Sequence, residues 1–205
     1  AAATAEEAIH LREAGITKPI LILGIVFDEY FPELVRYEIR PAVCEYEEAR
    51  KLSDEAVLQK KTVHIHIALD TGMTRIGFAD TQENVEEIKK ISELPNLEIE
   101  GMFTHFCVSD EAEDGKDFTE KQYSCFSYVR DKLKESGINI KICHCSNSGA
   151  IEDYEHTYCD MVRAGIILYG LAPSYKIQNN LNLIPAMTLK STVAYVKNLK
   201  KGADI

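Results

Sequence analysis

The apolar residues of this chain change their spacing repeatedly along the sequence. Short apolar runs rich in β-branched residues alternate with segments in which apolar residues recur at helical spacing. Because a strand buries residues with a period of two and a helix with a period of about 3.6, this switching is typical of repeated β-α units. The predicted strands are residues 19–24, 39–44, 63–70, 99–107, 140–146 and 161–169.

One predicted helix follows the fourth of these strands. Thr119 and Gln122 have the spacing of a capping box and predict that the helix begins there. Gly137 suits its end. Between these points the apolar residues recur at helical spacing, so they are expected to pack in the core. They are Phe126, Val129 and Leu133.

Repeated β-α units build either a doubly wound open sheet or a closed (β/α)8 barrel. The strand faces favour the barrel, because an apolar face suits covering helices and a polar face suits a barrel interior. On the strand 63–70 the two faces carry Val63, Ile65, Ile67 and Leu69, and His64, His66, Ala68 and Asp70. From the strand 140–146 onward, one face carries Ile142, His144, Ser146 and Ser148. No G-x-G-x-x-G or P-loop sequence supports the open sheet. Six strands are predicted, whereas a barrel needs eight. The predicted fold class is therefore α/β, an incomplete (β/α)8 barrel of the TIM type.

The composition excludes several classes of protein. With 45% hydrophobic and 27% charged residues, the chain has the composition of an ordinary globular protein. Its formal net charge of −10 argues against a nucleic-acid partner, which requires clustered Lys and Arg. The longest apolar run, residues 20–27, is too short to span a membrane, and no signal peptide is recognised. The six cysteines lack C-x-x-C spacing, so we expect no metal site and a reducing cytoplasm.

Four segments together point to one family. The first reads D-T-G-M-T-R-I-G at 70–77, and the second reads G-M-F-T-H-F at 101–106, followed by two acidic residues at 110–111. The third reads H-C-S-N-S at 144–148, and the fourth reads M-V-R-A-G-I at 161–166, followed by Y-G-L at 169–171. In order and spacing they resemble the motifs of the pyridoxal-phosphate-dependent alanine racemases.

The resemblance covers essentially the whole chain. It implies an enzyme that interconverts L-alanine and D-alanine and thereby supplies D-alanine for peptidoglycan. It also implies an incomplete cofactor-binding barrel domain at 1–186 and the beginning of a C-terminal β domain at 187–205. Both catalytic bases, a lysine and a tyrosine, are expected outside this segment, so the segment alone should be inactive. The complete protein is expected to be a cytoplasmic homodimer that acts on a small amino acid and binds neither nucleic acid nor membrane.

The same resemblance assigns residues to the binding of pyridoxal 5'-phosphate. Ser148, Gly165 and Ile166 would bind the phosphate, because a hydroxyl and closely approached backbone N–H groups suit a phosphate ester. The complete set of assigned cofactor-binding residues is His105, Ser148, Arg163, Gly165, Ile166 and Arg75.

The remaining roles follow from the same motifs. Arg75 would contact the phenolic oxygen of the cofactor and receive the substrate carboxylate with its planar fork of donors. His105 would lie near the cofactor ring. His144 and Asn147 would stand behind the residues that touch the cofactor, and His144 would orient Arg163.

Arg163 determines the expected reaction type, because the resemblance places it at the pyridine nitrogen of the cofactor. A guanidinium keeps its protons near neutral pH and cannot protonate that nitrogen. Electron withdrawal by the ring is therefore weaker, which favours return of the proton to Cα over transamination. Racemisation is the implied outcome.

Ala68 departs from one form of the family, in which a lysine at this position can be carbamylated. Alanine cannot form that anion. We therefore expect chloride, another anion or ordered water beside Arg75.

Two other functions share the same barrel. One is a serine or broad-specificity amino-acid racemase, because the substrate-side wall is expected largely outside this segment. The other is a non-catalytic barrel protein that binds pyridoxal phosphate and has no second domain. The D-T-G-M-T-R-I-G segment and the strand-like sequence after Met187 speak against this second alternative.

Overall fold

The computed structural model describes residues 1–179 and 181–202. Within these residues the strands are β1 (Leu21–Ile22), β2 (Arg40–Val43), β3 (Val63–Asp70), β4 (Phe78–Ala79), β5 (Leu97–Phe103) and β6 (Ile142–His144). The α-helices are α1 (Ala5–Glu13), α2 (Phe31–Arg36), α3 (Tyr46–Gln59), α4 (Gln82–Ser92), α5 (Glu113–Glu135) and α6 (Ser148–Asp153).

The strands form a parallel sheet in the order β1-β2-β3-β5-β6, with the short β4 beside the end of β3. Apart from β4, strands that follow one another along the chain are neighbours, with helices between them, as in consecutive units of a barrel. The chain is therefore a parallel half-barrel with helices, and the predicted incomplete (β/α)8 barrel is confirmed. No helix within residues 1–179 and 181–202 is long and apolar enough to cross a bilayer.

The two faces of the sheet differ, as the alternation on β3 predicted. The residues of β3 in the large apolar core are Val63, Ile65, Ile67 and Leu69. Ala68 belongs to a separate small cluster, where it packs with Ala42 and Phe103. His66 is buried as well, with 2% of its surface exposed. The even-numbered side of β3 is therefore the side on which polar side chains can meet inside the half-barrel.

The predicted strand 161–169 is wrong. In the described part of the chain, residues 161–165 pair with no strand and Ile166–Tyr169 forms a 3-10 turn. One sheet-like bond remains, from the Arg163 N–H to the Ser146 carbonyl oxygen at 2.9 Å. Gly165, with φ −107° and ψ −98°, then turns the backbone away from extended geometry. The local propensity for a strand is thus overridden by the path that the tertiary structure imposes.

The other predicted strands are present, although only 63–70 has the predicted ends. Helix α5 begins at Glu113 rather than at Thr119, so the predicted start is wrong. The Thr119 hydroxyl donates to the Gly115 carbonyl oxygen at 2.9 Å, a bond within the helix instead of a cap. The three predicted core residues of α5 are buried, and the helix ends just before Gly137, as predicted.

The last part of the described chain contains neither helix nor strand from residue 187 to residue 202. Its apolar side chains are exposed, with Leu189 at 96% and Val193 at 76%. Residues 203–205 of the predicted C-terminal segment lie outside the described residues. The division into a barrel domain at 1–186 and the beginning of a β domain at 187–205 stays a prediction.

The packing of α5 against the sheet gives a test of the fold. Phe126 is completely buried, and Tyr128 on the same helix is 41% exposed. Phe126→Ala should lower the free energy of unfolding by about 3–5 kcal/mol, because it removes a buried ring and leaves a cavity. Tyr128→Ala should cost less than about 1 kcal/mol. Denaturant unfolding of both variants measures this difference, and equal losses would contradict the described packing of α5.

Candidate functional site

A cleft of about 700 Å³ lies against the polar side of the sheet, next to His66 and Phe103. Five of the residues assigned from the sequence line it, and they are Arg75, His105, Asn147, Arg163 and Gly165. Ser148 and His144 are buried behind this wall, Ser148 against Gly165 and His144 against Arg163. Ile166 follows in the chain and is 43% exposed. The structure therefore brings residues from four distant sequence segments to one place.

The loop between β3 and β4 carries Arg75 into the cleft. The Asp70 carboxylate accepts hydrogen bonds from the N–H groups of Gly72 (3.0 Å) and Thr74 (2.9 Å), which folds the loop back on the end of β3. Gly77 has φ +110°, and a Cβ there would lie 2.6 Å from a carbonyl oxygen of β3. The aspartate and the glycines of the D-T-G-M-T-R-I-G segment therefore hold this turn.

Arg163 is fixed by four hydrogen bonds from its two terminal nitrogens. Nη1 donates to Nδ1 and to the carbonyl oxygen of His144, both at 2.8 Å. Nη2 donates to the carbonyl oxygens of Thr104 (2.7 Å) and Cys145 (2.9 Å). The guanidinium also lies over the Phe103 ring, 5.5 Å from its centroid. Burial lowers the pKa of Arg163 to about 10, so the group keeps its charge at neutral pH.

His144 is a neutral acceptor for this arginine. Its burial, the charge of Arg163 and the proximity of His66 lower the pKa of His144 to about 2. Its ring is stacked on Phe103 with a centroid distance of 5.0 Å. The other ring nitrogen, Nε2, is 2.8 Å from Nδ1 of His66. The sequence motifs assign His66 no role, although the alternation on β3 places it on the polar face.

The residues assigned to phosphate binding form a compact group. The Gly165 N–H donates to the Ser148 hydroxyl oxygen at 3.0 Å. The Asn147 side chain donates to the Phe106 carbonyl oxygen (2.9 Å) and accepts from the Ser109 hydroxyl (2.7 Å). Asn147 therefore joins the segment after β5 to the start of α6, and so holds Ser148 in its place beside Gly165.

His105 lines the cleft together with Arg163 and Arg75. Burial, followed by the positive charges of Arg163 and Arg75, lowers the pKa of His105 to about 4. The side chain is therefore neutral at physiological pH. A neutral imidazole beside two arginines adds no further positive charge to the cleft and can pack against a flat ligand.

A small cavity of about 20 Å³ lies between Ala68 and Arg75, with Phe103 and His105 among its other walls. A space of this size holds one water molecule or one small ion. Within residues 1–179 and 181–202, the Arg75 side chain makes no hydrogen bond or ion pair. The anion or water molecule expected beside Arg75 could bind in this space, and its presence stays a prediction.

Comparison with known proteins gives a consistent result. A family model described as "Alanine racemase, N-terminal domain" matches residues 1–173. Curated relatives include alanine racemases of Clostridium tetani and Clostridium kluyveri, each 44% identical over 100% of this chain. The chain covers 53% and 52% of these two relatives, so it spans about half the length of the curated relatives it matches.

Solved structures show the same likeness. An alanine racemase of Clostridium difficile 630 in complex with cycloserine superposes with a TM-score of 0.90 at 43% sequence identity. The match covers 96% of this chain and 54% of that one.

The lowered pKa of His105 predicts an acid-dependent loss of stability. The unfolded chain takes up a proton on this residue as the pH falls below about 6.5, while the folded chain resists protonation down to about 4. The contribution of His105 to stability is therefore complete above pH 6.5 and is lost progressively between these values.

His105→Gln should make the free energy of unfolding of the ligand-free protein less dependent on pH in that interval, as measured by denaturant unfolding at a series of pH values. His10→Gln, on the exposed side of α1, is the matched control and should behave like the original chain. If the two variants have the same pH dependence, His105 is not held neutral in the folded state.

Proposed function

The chain belongs to the alanine racemase family, and from this we propose that it is part of a pyridoxal-phosphate-dependent enzyme that interconverts L-alanine and D-alanine. The observation that carries the proposal is the family match over residues 1–173, together with relatives named alanine racemase at 44% identity. The same relatives disfavour a serine or broad-specificity racemase. In the complete protein we further propose a cytoplasmic homodimer that supplies D-alanine for peptidoglycan.

The residues of the cleft fit an anionic aromatic cofactor. Three guanidinium groups line the cleft, those of Arg40, Arg75 and Arg163. Arg40 is paired with the Glu100 carboxylate, so Arg75 and Arg163 remain for an anionic ligand. Gly165 leaves open the space in front of Ser148, because a Cβ there would lie 3.5 Å from the hydroxyl oxygen. The Gly165 N–H donates to the Ser148 hydroxyl oxygen, so the hydroxyl hydrogen of Ser148 and the Ile166 N–H would hold the phosphate of pyridoxal phosphate, and Gly165 would allow the phosphate to approach the backbone closely.

Pyridoxal phosphate, when bound, draws electrons from the Cα of an attached amino acid and so makes the Cα proton removable. The residues of this chain would bind and orient the cofactor and the amino acid. Arg75 would receive the carboxylate of the amino acid with its planar fork of donors, and neutral His105 would pack beside the cofactor ring. The transfer of the Cα proton to and from the two faces belongs to the lysine and the tyrosine that we expect outside this segment.

Arg163 is the residue that we propose to meet the ring nitrogen of the cofactor. Its four Nη hydrogens are used by backbone oxygens and by His144, so Nε–H is the guanidinium donor without a partner in the described part of the chain. A charged guanidinium can only donate, so a pyridine nitrogen held against Nε–H would have to accept and would stay unprotonated. Arg163 would thereby limit the electron withdrawal that the cofactor supplies and favour return of the proton to Cα.

Replacement of Arg163 in the complete protein tests the proposal. In Arg163→Glu, a carboxylate favours a proton on the ring nitrogen through charge attraction and hydrogen bonding. Racemisation of alanine should slow by about tenfold or more, which corresponds to the loss of one charge-assisted hydrogen bond. Formation of pyruvate relative to racemisation should rise. Arg163→Lys keeps the positive charge and should keep this ratio low.

Both rates are measured on protein whose folding and cofactor content have been checked. If Arg163→Glu binds the cofactor and keeps its racemisation rate and its ratio of pyruvate to D-alanine, Arg163 does not meet the ring nitrogen. If the unaltered complete protein does not racemise alanine, the proposed function itself is wrong.

A further inference from the structure

We propose that His66 is a positioning residue for Arg163: it holds His144 in the one tautomer that can accept a hydrogen bond from the arginine. The catalytic part of this inference rests on the proposed function, and the part that concerns the tautomer does not. Within residues 1–179 and 181–202, the hydrogen bonds that link His66, on β3, to Arg163 run through His144, on β6.

The direction of the hydrogen bonds follows from Arg163. A guanidinium has no acceptor, so His144 Nδ1, at 2.8 Å from Nη1, must accept. Burial lowers the pKa of both histidines, so each ring is neutral and carries one proton. The proton of His144 is therefore on Nε2, which donates to Nδ1 of His66 at 2.8 Å. The proton of His66 is in turn on its own Nε2.

Glu100 favours the same tautomer from the far side. Its Oε2 lies 3.5 Å from Nε2 of His66. This carboxylate is paired with Arg40 at 2.9 Å and 3.4 Å, and although burial raises its pKa, the Arg40 bonds and charge bring it below the ordinary value. A negative group beside Nε2 attracts a proton there. The opposite tautomer of His66 would place a lone pair against this carboxylate and an N–H against the N–H of His144.

The backbone around His66 leaves room for its ring. A Cβ at Gly101 would lie 2.4 Å from both Cε1 and Nδ1 of His66, so any other residue at 101 would displace the imidazole. The register of β3 on β5 also shifts between Ile65 and His66, at the point where the ring crosses to the neighbouring strand. The placement of His66 against His144 thus depends on two local features of the sheet.

Without an acceptor at Nδ1 of residue 66, His144 has two unfavourable choices. It can keep its Nε2–H buried without a partner, or it can move the proton to Nδ1 and oppose the N–H of Arg163. The second choice removes one of the four bonds that hold Arg163, and the first removes the bond that fixes the His144 ring beside Arg163. The ratio of transamination to racemisation should therefore change in the same direction as in Arg163→Glu.

Three substitutions of His66 in the complete protein separate these effects. The Asn side-chain oxygen can stand close to the place of Nδ1, so His66→Asn should retain the acceptor for His144. His66→Gln has the same amide one carbon further out, near the place of Nε2, and His66→Leu has no acceptor. Nitrogen NMR of histidine-labelled protein reports which ring nitrogen of His144 carries the proton, independently of activity.

In the unaltered protein we expect His144 and His66 both to carry the proton on Nε2. In His66→Leu and His66→Gln, the NMR signals of the His144 ring nitrogens should depart from those of a ring that carries its proton on Nε2. The ratio of pyruvate to D-alanine should rise by about fivefold, which corresponds to the loss of one ordinary hydrogen bond. His66→Asn should keep the His144 pattern and a ratio close to that of the unaltered protein.

A proton on Nδ1 of His144 in the unaltered protein, or a doubly protonated ring, overturns the proposal whether or not the variants fold. An unchanged His144 pattern and an unchanged ratio in folded His66→Leu overturn it as well. If the unaltered protein shows the expected tautomers but no racemisation of alanine, the proposed function fails while the assigned role of His66 toward Arg163 is supported.

Discussion

The rest of the site depends on the four hydrogen bonds that hold the positive charge of Arg163 inside the half-barrel. A charge taken out of water is costly unless hydrogen bonds replace its hydration. The carbonyl oxygens of Thr104, His144 and Cys145 supply this replacement at the carboxyl ends of β5 and β6. The parallel sheet that brings those ends together therefore also holds the arginine in the cleft.

The fold was predictable wherever one strand had to separate two environments. The alternation on β3 predicted both faces of the sheet, because a half-buried strand separates apolar from polar side chains in only one register. The predicted strand 161–169 and the predicted helix start at Thr119 were wrong for a common reason. Both relied on local patterns, whereas the Arg163 N–H bonds to the backbone of Ser146, after β6, and α5 begins at Glu113 without a side-chain cap.

The motifs named residues that the structure brings to one cleft, but they did not predict what each residue contacts. His66 could be placed on the polar face of β3 from the sequence alone. Its contact with His144 required β5 to lie between β3 and β6, and it required a missing Cβ at Gly101. A pattern within one strand carries no information about register across three strands. For the same reason, the backbone acceptors of Arg163 could not be derived from the sequence.

The most direct test concerns the nitrogen that Arg163 is proposed to meet. Nitrogen NMR of pyridoxal phosphate labelled at the ring nitrogen, bound to the complete protein, reports whether that atom carries a proton. The guanidinium of Arg163 has only donors, and its hydrogen bonds within the chain use the Nη groups. We therefore expect the signal of an unprotonated pyridine nitrogen throughout the pH range in which the protein is folded. The signal of a protonated nitrogen near neutral pH would contradict the account.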